Sequence, residues 1–216
     1  MINIADLYGQ AHTIDLDNLG NQAFCMDCME LMRALPDKAV EIAVVDPPYG
    51  IGISSNPVRQ AHAKKQWDNG TPTDEYFKEL FRVSKNQIIW GGNYFGLPAT
   101  QNYITWDKIQ PEDFSLAMCE YAWCSIQQPA KIFKYSVLSG DKKIHPTQKP
   151  CALYDWIYAR YAHKGDRILD THLGSGSSRI AAWQAGYNFL GAEIDQDYFK
   201  AQEERYASYA AQYKLF

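Results

Sequence analysis

The chain has 216 residues, enough for one domain with a sizeable core and room for a small inserted lobe. It is 46% hydrophobic and 14% aromatic, a globular composition that excludes a disordered chain. A net charge of −4 gives no bulk attraction to nucleic acid, so such a partner would have to be held by a local basic patch.

The opening MINIADLYGQ lacks the basic and apolar parts of a signal peptide, and no stretch is long and apolar enough for a membrane span. A cytoplasmic protein with no membrane partner is expected. Cys25 and Cys28 have the CxxC spacing of zinc and redox sites, but a structural zinc needs a second close pair. Cys119 and Cys124 lie in a strand-like stretch and make a poor one. No metal is expected, and the five cysteines read as thiols in a reducing compartment.

In chain order, residues 1–20 show no clear period and read as loosely ordered or as a short hairpin. QAFCM (22–26) reads as a strand, and CMELMRAL (28–35) as a short helix stopped by Pro36. EIAVV (41–45) is a continuous apolar run, the mark of a strand buried on both faces of a parallel sheet. Residues 50–72 read as a long mobile loop. TDEYFKELFRVS (73–84) is an amphipathic helix with Thr73 as N-cap. QIIWG (87–91) and NYITW (102–106) are strands. CEYAWCS (119–125) and KIFKYSV (131–137) alternate like a pair of strands separated by Gln127-Gln128-Pro129. CALYDWIYARYA (151–162) is a helix, DRILD (166–170) a strand, and Ser177 to Ala185 a helix closed by Gly186. NFLGAEID (188–195) is a strand, followed by a charged helix from Asp197. Strands and helices alternate at both ends of the chain, which predicts an α/β fold with parallel core strands.

Two strand ends carry chemistry. Asp170-Thr171-His172-Leu173-Gly174-Ser175-Gly176 follows a strand and opens a helix, where a doubly wound fold binds a nucleotide-like ligand. Arg179 stands where a dinucleotide pattern needs its third glycine, and there is no GK[ST], so neither a dinucleotide nor a Walker loop is indicated. By itself the turn fits a ligand site or a tight structural turn equally well. Glu193, about twenty residues on at the end of the next strand, suits ribose hydroxyls, while Asp195 suits a helix cap. A nucleoside cofactor without the dinucleotide glycines points to S-adenosylmethionine. The other strand end is Asp46-Pro47-Pro48-Tyr49. A carboxylate, a proline carbonyl with no N–H of its own and a flat ring suit an amino group on a planar base, or a rigid turn.

Asp46-Pro47-Pro48-Tyr49, the late Gly174-Ser175-Gly176 turn and Glu193 together resemble the amino-methylating DNA methyltransferases. The early catalytic tetrapeptide and late glycine turn resemble the circularly permuted β class, closest to small phage or prophage adenine enzymes, some of which serve restriction-modification. His145-Pro146-Thr147-Gln148-Lys149-Pro150, and Asp27 with Leu35-Pro36-Asp37, fit the same class. The resemblance covers most of residues 22–206. It implies a Rossmann-like fold, a mostly parallel sheet with helices on both faces. Residues 1–216 would be one methyltransferase domain, with 107–143 a short inserted segment and minimal target-recognition region.

The resemblance also assigns roles. Asp46, Pro47, Pro48 and Tyr49 would be catalytic and hold the target base. Asp27 would bond the adenine amino group of S-adenosylmethionine, Glu193 its ribose, with Ile194 beside it. Asp170, Gly174, Ser175 and Gly176 would line its methionine part, with Asp46, Thr147 and Lys149 near. Relatives usually carry phenylalanine where His172 stands, so the ring packed on the cofactor is an imidazole here. His145 reads as a turn residue rather than a general base. Asp107-Lys108 fits either a DNA contact or a surface pair. Double-stranded DNA is the expected partner. Its phosphates would be met by Arg59, Lys64 and Lys65, and by Lys131, Lys134, Lys142 and Lys143. Aspartate at the first motif position leans to adenine N6, with cytosine N4 as the alternative, and a catalytically silent binding subunit as a third reading. The recognition segment is short, so the target site is short or a second subunit, as in a homodimer, shares in its choice.

Overall fold

A computed structural model describes residues 1–52, 70–113, 117–137, 139 and 143–213. The elements in chain order are β1 (Ile2–Ala5), β2 (Ala11–Ile14), β3 (Asn21–Cys25), α1 (Cys28–Ala34), β4 (Val40–Val45), α2 (Asp74–Val83), β5 (Ser84–Trp90), β6 (Tyr103–Asp107), β7 (Cys119–Cys124), β8 (Lys131–Lys134), α3 (Cys151–Tyr161), β9 (Arg167–Asp170), α4 (Ser177–Gln184), β10 (Asn188–Glu193) and α5 (Gln196–Tyr213). β1 and β2 form an antiparallel hairpin. The other eight strands make one sheet in the order β3-β10-β9-β4-β5-β7-β6-β8. Its first five strands run parallel. This is the α/β fold with parallel core strands expected from the alternation of strands and helices, and the Rossmann-like arrangement that the family resemblance implies.

The apolar run of β4 is central because both of its faces are covered. Ile42 and Val44 point into a layer with α3 and α4, and Ala43 and Val45 into a layer with α1 and α2. All four are at most 1% exposed. Burying a side chain of this size contributes about 1.5–3 kcal/mol, which is why a strand in this position carries no polar residue between Ile42 and Val45. Helix α2 starts where expected, with Thr73 accepting the Tyr76 N–H. Tyr76, Leu80 and Val83 form its buried stripe.

One expected pairing is corrected. β7 and β8 are not partners. β6 lies between them, antiparallel to β7 and parallel to β8. The alternation of CEYAWCS and KIFKYSV identifies strands, but the return of β7 against both β5 and β6 fills its two edges. β8 then has only the free edge of β6 to join, and it ends at Lys134 rather than Val137. The loop expected over 50–72 falls largely on residues 53–69, outside the described residues. Among the described residues no helix is long and apolar enough to cross a membrane.

The amino ends of three parallel strands are clamped by one carboxylate. Glu41 of β4 accepts the Arg167 main-chain N–H and guanidinium from β9 and the Lys85 ammonium from β5. Burial alone would push the Glu41 carboxyl up, but Arg167 and Lys85 outweigh it and bring it to about 2. A depressed carboxylate adds stability that is present above its ordinary value near 4.5 and is lost as pH falls toward 2. Glu41→Gln should therefore cost about 1–2 kcal/mol at pH 7 in urea unfolding, and the difference from wild type should shrink as pH falls from about 4.5 to about 2.

Candidate active site

β4 and β9 are hydrogen-bonded neighbours, with Ile42 opposite Ile168 and Ala43 opposite Leu169. From β4 the chain proceeds outward through α2 to β5, and from β9 outward the other way through α4 to β10. The order reverses between them. Their carboxyl ends therefore flank the crevice where open α/β sheets bind ligands. Asp46 is the first residue past β4, and Asp170 the last of β9.

The glycine turn is built by hydrogen bonds to fixed acceptors. Gly174 has φ +51° and Gly176 φ +71°, a left-handed conformation that glycine adopts without cost. The Leu173 N–H donates to the Ala192 carbonyl at 3.0 Å. Glu193 accepts the Gly174 N–H at 2.7 Å on Oε2 and the Asp195 N–H at 2.9 Å on Oε1. It thus joins the turn after β9 to the end of β10. Asp195 caps α5, accepting the N–H groups of Asp197 and Tyr198. Asp170 lies under the turn, where it accepts the His172 N–H and the Ser178 hydroxyl. Burial drives its carboxyl up to about 7 against those two bonds.

A cavity of about 430 Å³ opens above this turn. Of the expected cofactor residues, Asp46, Thr147, Lys149, His172, Gly174, Ser175, Glu193 and Ile194 line it, and Asp27, Asp170 and Gly176 do not. Asp27 is instead the N-cap of α1, accepting the Met29 N–H at 2.8 Å. His145, Tyr154 and Tyr198 are also in the wall. His145 receives the Thr147 N–H on Nδ1 at 3.3 Å and meets Tyr198 edge to face. His172 packs against Tyr76, and withdrawal from water lowers its imidazole to about 4, although Asp27 pulls the other way.

A second, smaller cavity of about 80 Å³ is lined by Asp46, Pro47, Pro48 and Tyr49 together with Trp106, Lys108, Glu120 and Lys143. Asp46, Pro48, Thr147, Gln148 and Lys149 line both cavities. Tyr49 donates its hydroxyl to Asp46 Oδ1 at 2.6 Å and stacks on Tyr94 at 5.1 Å. A Cβ on Gly91 would lie 2.3 Å from the Tyr49 ring, so glycine is required there to seat it. Among the described residues no hydrogen-bond donor reaches the Pro47 carbonyl.

Lys149 sits between carboxylates. Its ammonium lies 2.5 Å from Asp46 Oδ2, 3.1 Å from Glu120 Oε2 and 3.3 Å from the Tyr49 hydroxyl. Burial would lower it, but Asp46 and Glu120 raise it above the usual lysine range. Lys108 corrects the expected choice between a DNA contact and a surface pair with Asp107. It is 7% exposed and bonds Glu120 Oε1 at 2.6 Å. Glu120, Tyr154, Tyr198 and Ser178 were not marked by any motif. The one sequence signal for Glu120 is a carboxylate placed in an otherwise apolar strand.

The basic residues are spread. Lys131 and Lys134 are exposed on β8, with Lys134 3.9 Å from Asp107. Lys143 lines the second cavity. Arg59, Lys64, Lys65 and Lys142 lie outside the described residues. Among the described residues no cluster of three or more His, Cys, Asp or Glu side chains is gathered as a metal would need.

With both cavities in place, comparison with known proteins is informative. Residues 89–204, over half of the chain and including Lys149, the glycine turn and Glu193, match the N6/N4 family described as DNA methylase. The chain is 25% identical over 208 residues to the putative methylase YubD of Escherichia coli K12, covering 84% of this chain and 88% of that protein. Among solved structures, the M1.HpyAVI complex with S-adenosylmethionine superposes with a TM-score of 0.61 at 20% identity, over 85% of this chain and 98% of that one. The PvuII cytosine-N4-specific DNA methyltransferase superposes at 0.59 and 14% identity, over 88% and 91%. These likenesses extend over most of the chain, and the family match takes in the glycine turn that shapes the larger cavity: the chain belongs to the N6/N4 DNA methylase family.

Proposed function

We propose that this protein transfers a methyl group from S-adenosylmethionine to the N6 amine of an adenine flipped out of duplex DNA. The observation that carries the reading is the position of Asp46, whose side chain borders both cavities at once. A group that bridges a cofactor site and a base site is what a direct transfer between two ligands needs.

The donor set of the larger cavity fits the cofactor. Glu193 keeps lone pairs free for ribose hydroxyls after accepting its two main-chain bonds. Tyr154, Tyr198 and Ile194 offer apolar surface to a purine. When bound, S-adenosylmethionine supplies the methyl group as an electrophilic sulfonium carbon. Asp46 and the Pro47 carbonyl would accept the two amine protons, drawing the nitrogen lone pair out of conjugation with the ring. Each Asp46 oxygen already accepts one bond, and a carboxylate oxygen has room for a second. Tyr49 offers its ring to the extruded base, whose unstacking costs a few kcal/mol. Asp46 also stands where the proton shed by the methylated amine can be taken up.

The early tetrapeptide and late glycine turn support the circularly permuted β class and a likeness to small phage enzymes. Asp46 favours adenine over cytosine. Residues 107–143, which contain β7 and β8, are the segment we assign to target recognition, with a second copy of the chain as a source of further contacts. Lys131, Lys134 and Lys143, with Arg59, Lys64, Lys65 and Lys142, are assigned to phosphate contacts.

Incubation with unmethylated DNA and methyl-labelled S-adenosylmethionine, followed by nucleoside analysis, should yield N6-methyl-2′-deoxyadenosine. N4-methylcytosine would replace adenine with cytosine as the target, and an unlabelled digest with intact cofactor binding would refute transfer. Asp46→Ala should lower transfer by about 10²-fold or more while changing cofactor affinity little. His172→Phe tests the imidazole that replaces the family's usual ring. A histidine held near 4 adds stability that is present above its ordinary value of 6.5 and is lost as pH falls toward 4. Thermal unfolding of the phenylalanine variant should therefore lose less stability between pH 7 and pH 5 than wild type, by roughly 1–2 kcal/mol.

A further inference from the structure

The four side chains Asp46, Lys149, Glu120 and Lys108 form an alternating row of charges along the wall of the smaller cavity. Each carboxylate oxygen of Glu120 holds one lysine, Oε1 taking Lys108 at 2.6 Å and Oε2 taking Lys149 at 3.1 Å. Lys149 spends its three donors on Asp46, Glu120 and Tyr49. Lys149 and Lys108 are 3% and 7% exposed, and the ammonium of Lys149 lies 5.1 Å over the Trp90 ring. The row sums to zero charge. Glu120 belongs to β7, directly across from Trp106 of β6, which lines the same cavity.

This arrangement poses a difficulty for the proposed transfer. As the methyl group moves, positive charge builds on the target amine beside Asp46. Asp46 alone would stabilise it, but the ammonium of Lys149 at 2.5 Å already cancels that carboxylate. A cation forming next to a neutral pair, with Lys108 behind it, would be disfavoured. A second carboxylate on the far side of Lys149 restores the balance. It also holds Lys149 in place while the amine bonds to Asp46.

We propose that Glu120 is a positioning residue for methyl transfer, acting through Lys149: it balances the two lysines so that Asp46 can stabilise the charge developing on the target amine. This rests on the functional reading given above. It adds a residue from the middle of the chain, in a strand outside the recognised motif segments, to the machinery at the β4 strand end. Glu120 itself is drawn to about 2, because Lys149 and Lys108 overcome the effect of its burial. It is therefore charged throughout the range in which the reaction would be measured.

The test compares wild type, Glu120→Gln, Glu120→Asp and the double variant Glu120→Gln/Lys108→Met, using single-turnover methyl transfer to duplex DNA at saturating DNA and cofactor. Glu120→Gln should lower the transfer rate at least tenfold, with cofactor affinity within about twofold of wild type. The double variant, neutral once more, should recover a substantial part of that loss, and Glu120→Asp should fall between Glu120→Gln and wild type. A cofactor-free readout accompanies it. Wild type should lose stability as pH falls from about 4.5 toward 2, and Glu120→Gln should lack that part of the acid limb. A folded Glu120→Gln variant that transfers within twofold of wild type would overturn the proposal. So would a double variant no faster than the single one, since restoring the charge balance should return the rate if that balance is what Glu120 supplies, and so would an unchanged acid limb. Absence of transfer by wild type itself would instead refute the functional reading, and this inference with it.

Discussion

The parallel pairing of β4 with β9 is the constraint on which the site depends. These strands are separated by most of the chain, yet two register pairs between them bring Asp46 and the glycine turn to the same edge. The pairing is held by burial on both faces and by Glu41 at the amino ends, so the carboxyl ends are fixed by what happens far below them. Everything polar at the top is then arranged by short local bonds. Glu193 ties the turn to β10, Tyr49 and Lys149 orient Asp46, and Ser178 anchors Asp170. A shift of β4 by one residue would reverse its inward and outward faces and remove Asp46 from both cavities at once.

Much of this was legible in the sequence because it rests on local rules. A two-sided apolar run announces a central parallel strand, a threonine before an acidic turn announces the start of α2, and glycines after a strand announce a left-handed turn. The carboxylate of Glu193 could be picked out because its distance from that turn is set by one helix and one strand. Lys149 was legible only as a residue near the cofactor. Its actual neighbours, Asp46 and Glu120, come from β4 and β7, and no spacing in sequence encodes the meeting of three such segments. Lys108 was misjudged for the same reason. The polar residue beside it in sequence, Asp107, sits on the other side of the strand, and the partner it meets is reached only across β6 and β7. The order of β6, β7 and β8 was likewise hidden, because alternation tells which face a residue takes and says nothing about which strand lies alongside.

Two uses of carboxylates at the site are contrasted in this molecule. Asp170 is surrounded by neutral donors and is pushed toward its protonated form, which makes it a fixture of the turn. Glu120, whose side chain is 25% exposed, faces two ammonium groups and stays ionised. The difference lies in the partners as well as in the depth. It illustrates why enclosed acidic residues must be read with their surroundings before a role is assigned.

The terminal position of β8 has a consequence of its own. The strand joins the sheet through β6 alone and leaves its other edge open among the described residues, with Ile132 62% exposed. An open edge with an apolar side chain invites the same edge of another molecule to add a strand. Lys131 and Lys134 stand at its two ends, and a strand four residues long offers few bonds to an intruder. Positive charges that repel their own copies would also be attracted to a polyanion. The same pair of lysines can therefore keep the sheet from extending into an aggregate, a protection that would hold whatever partner that margin of the protein meets.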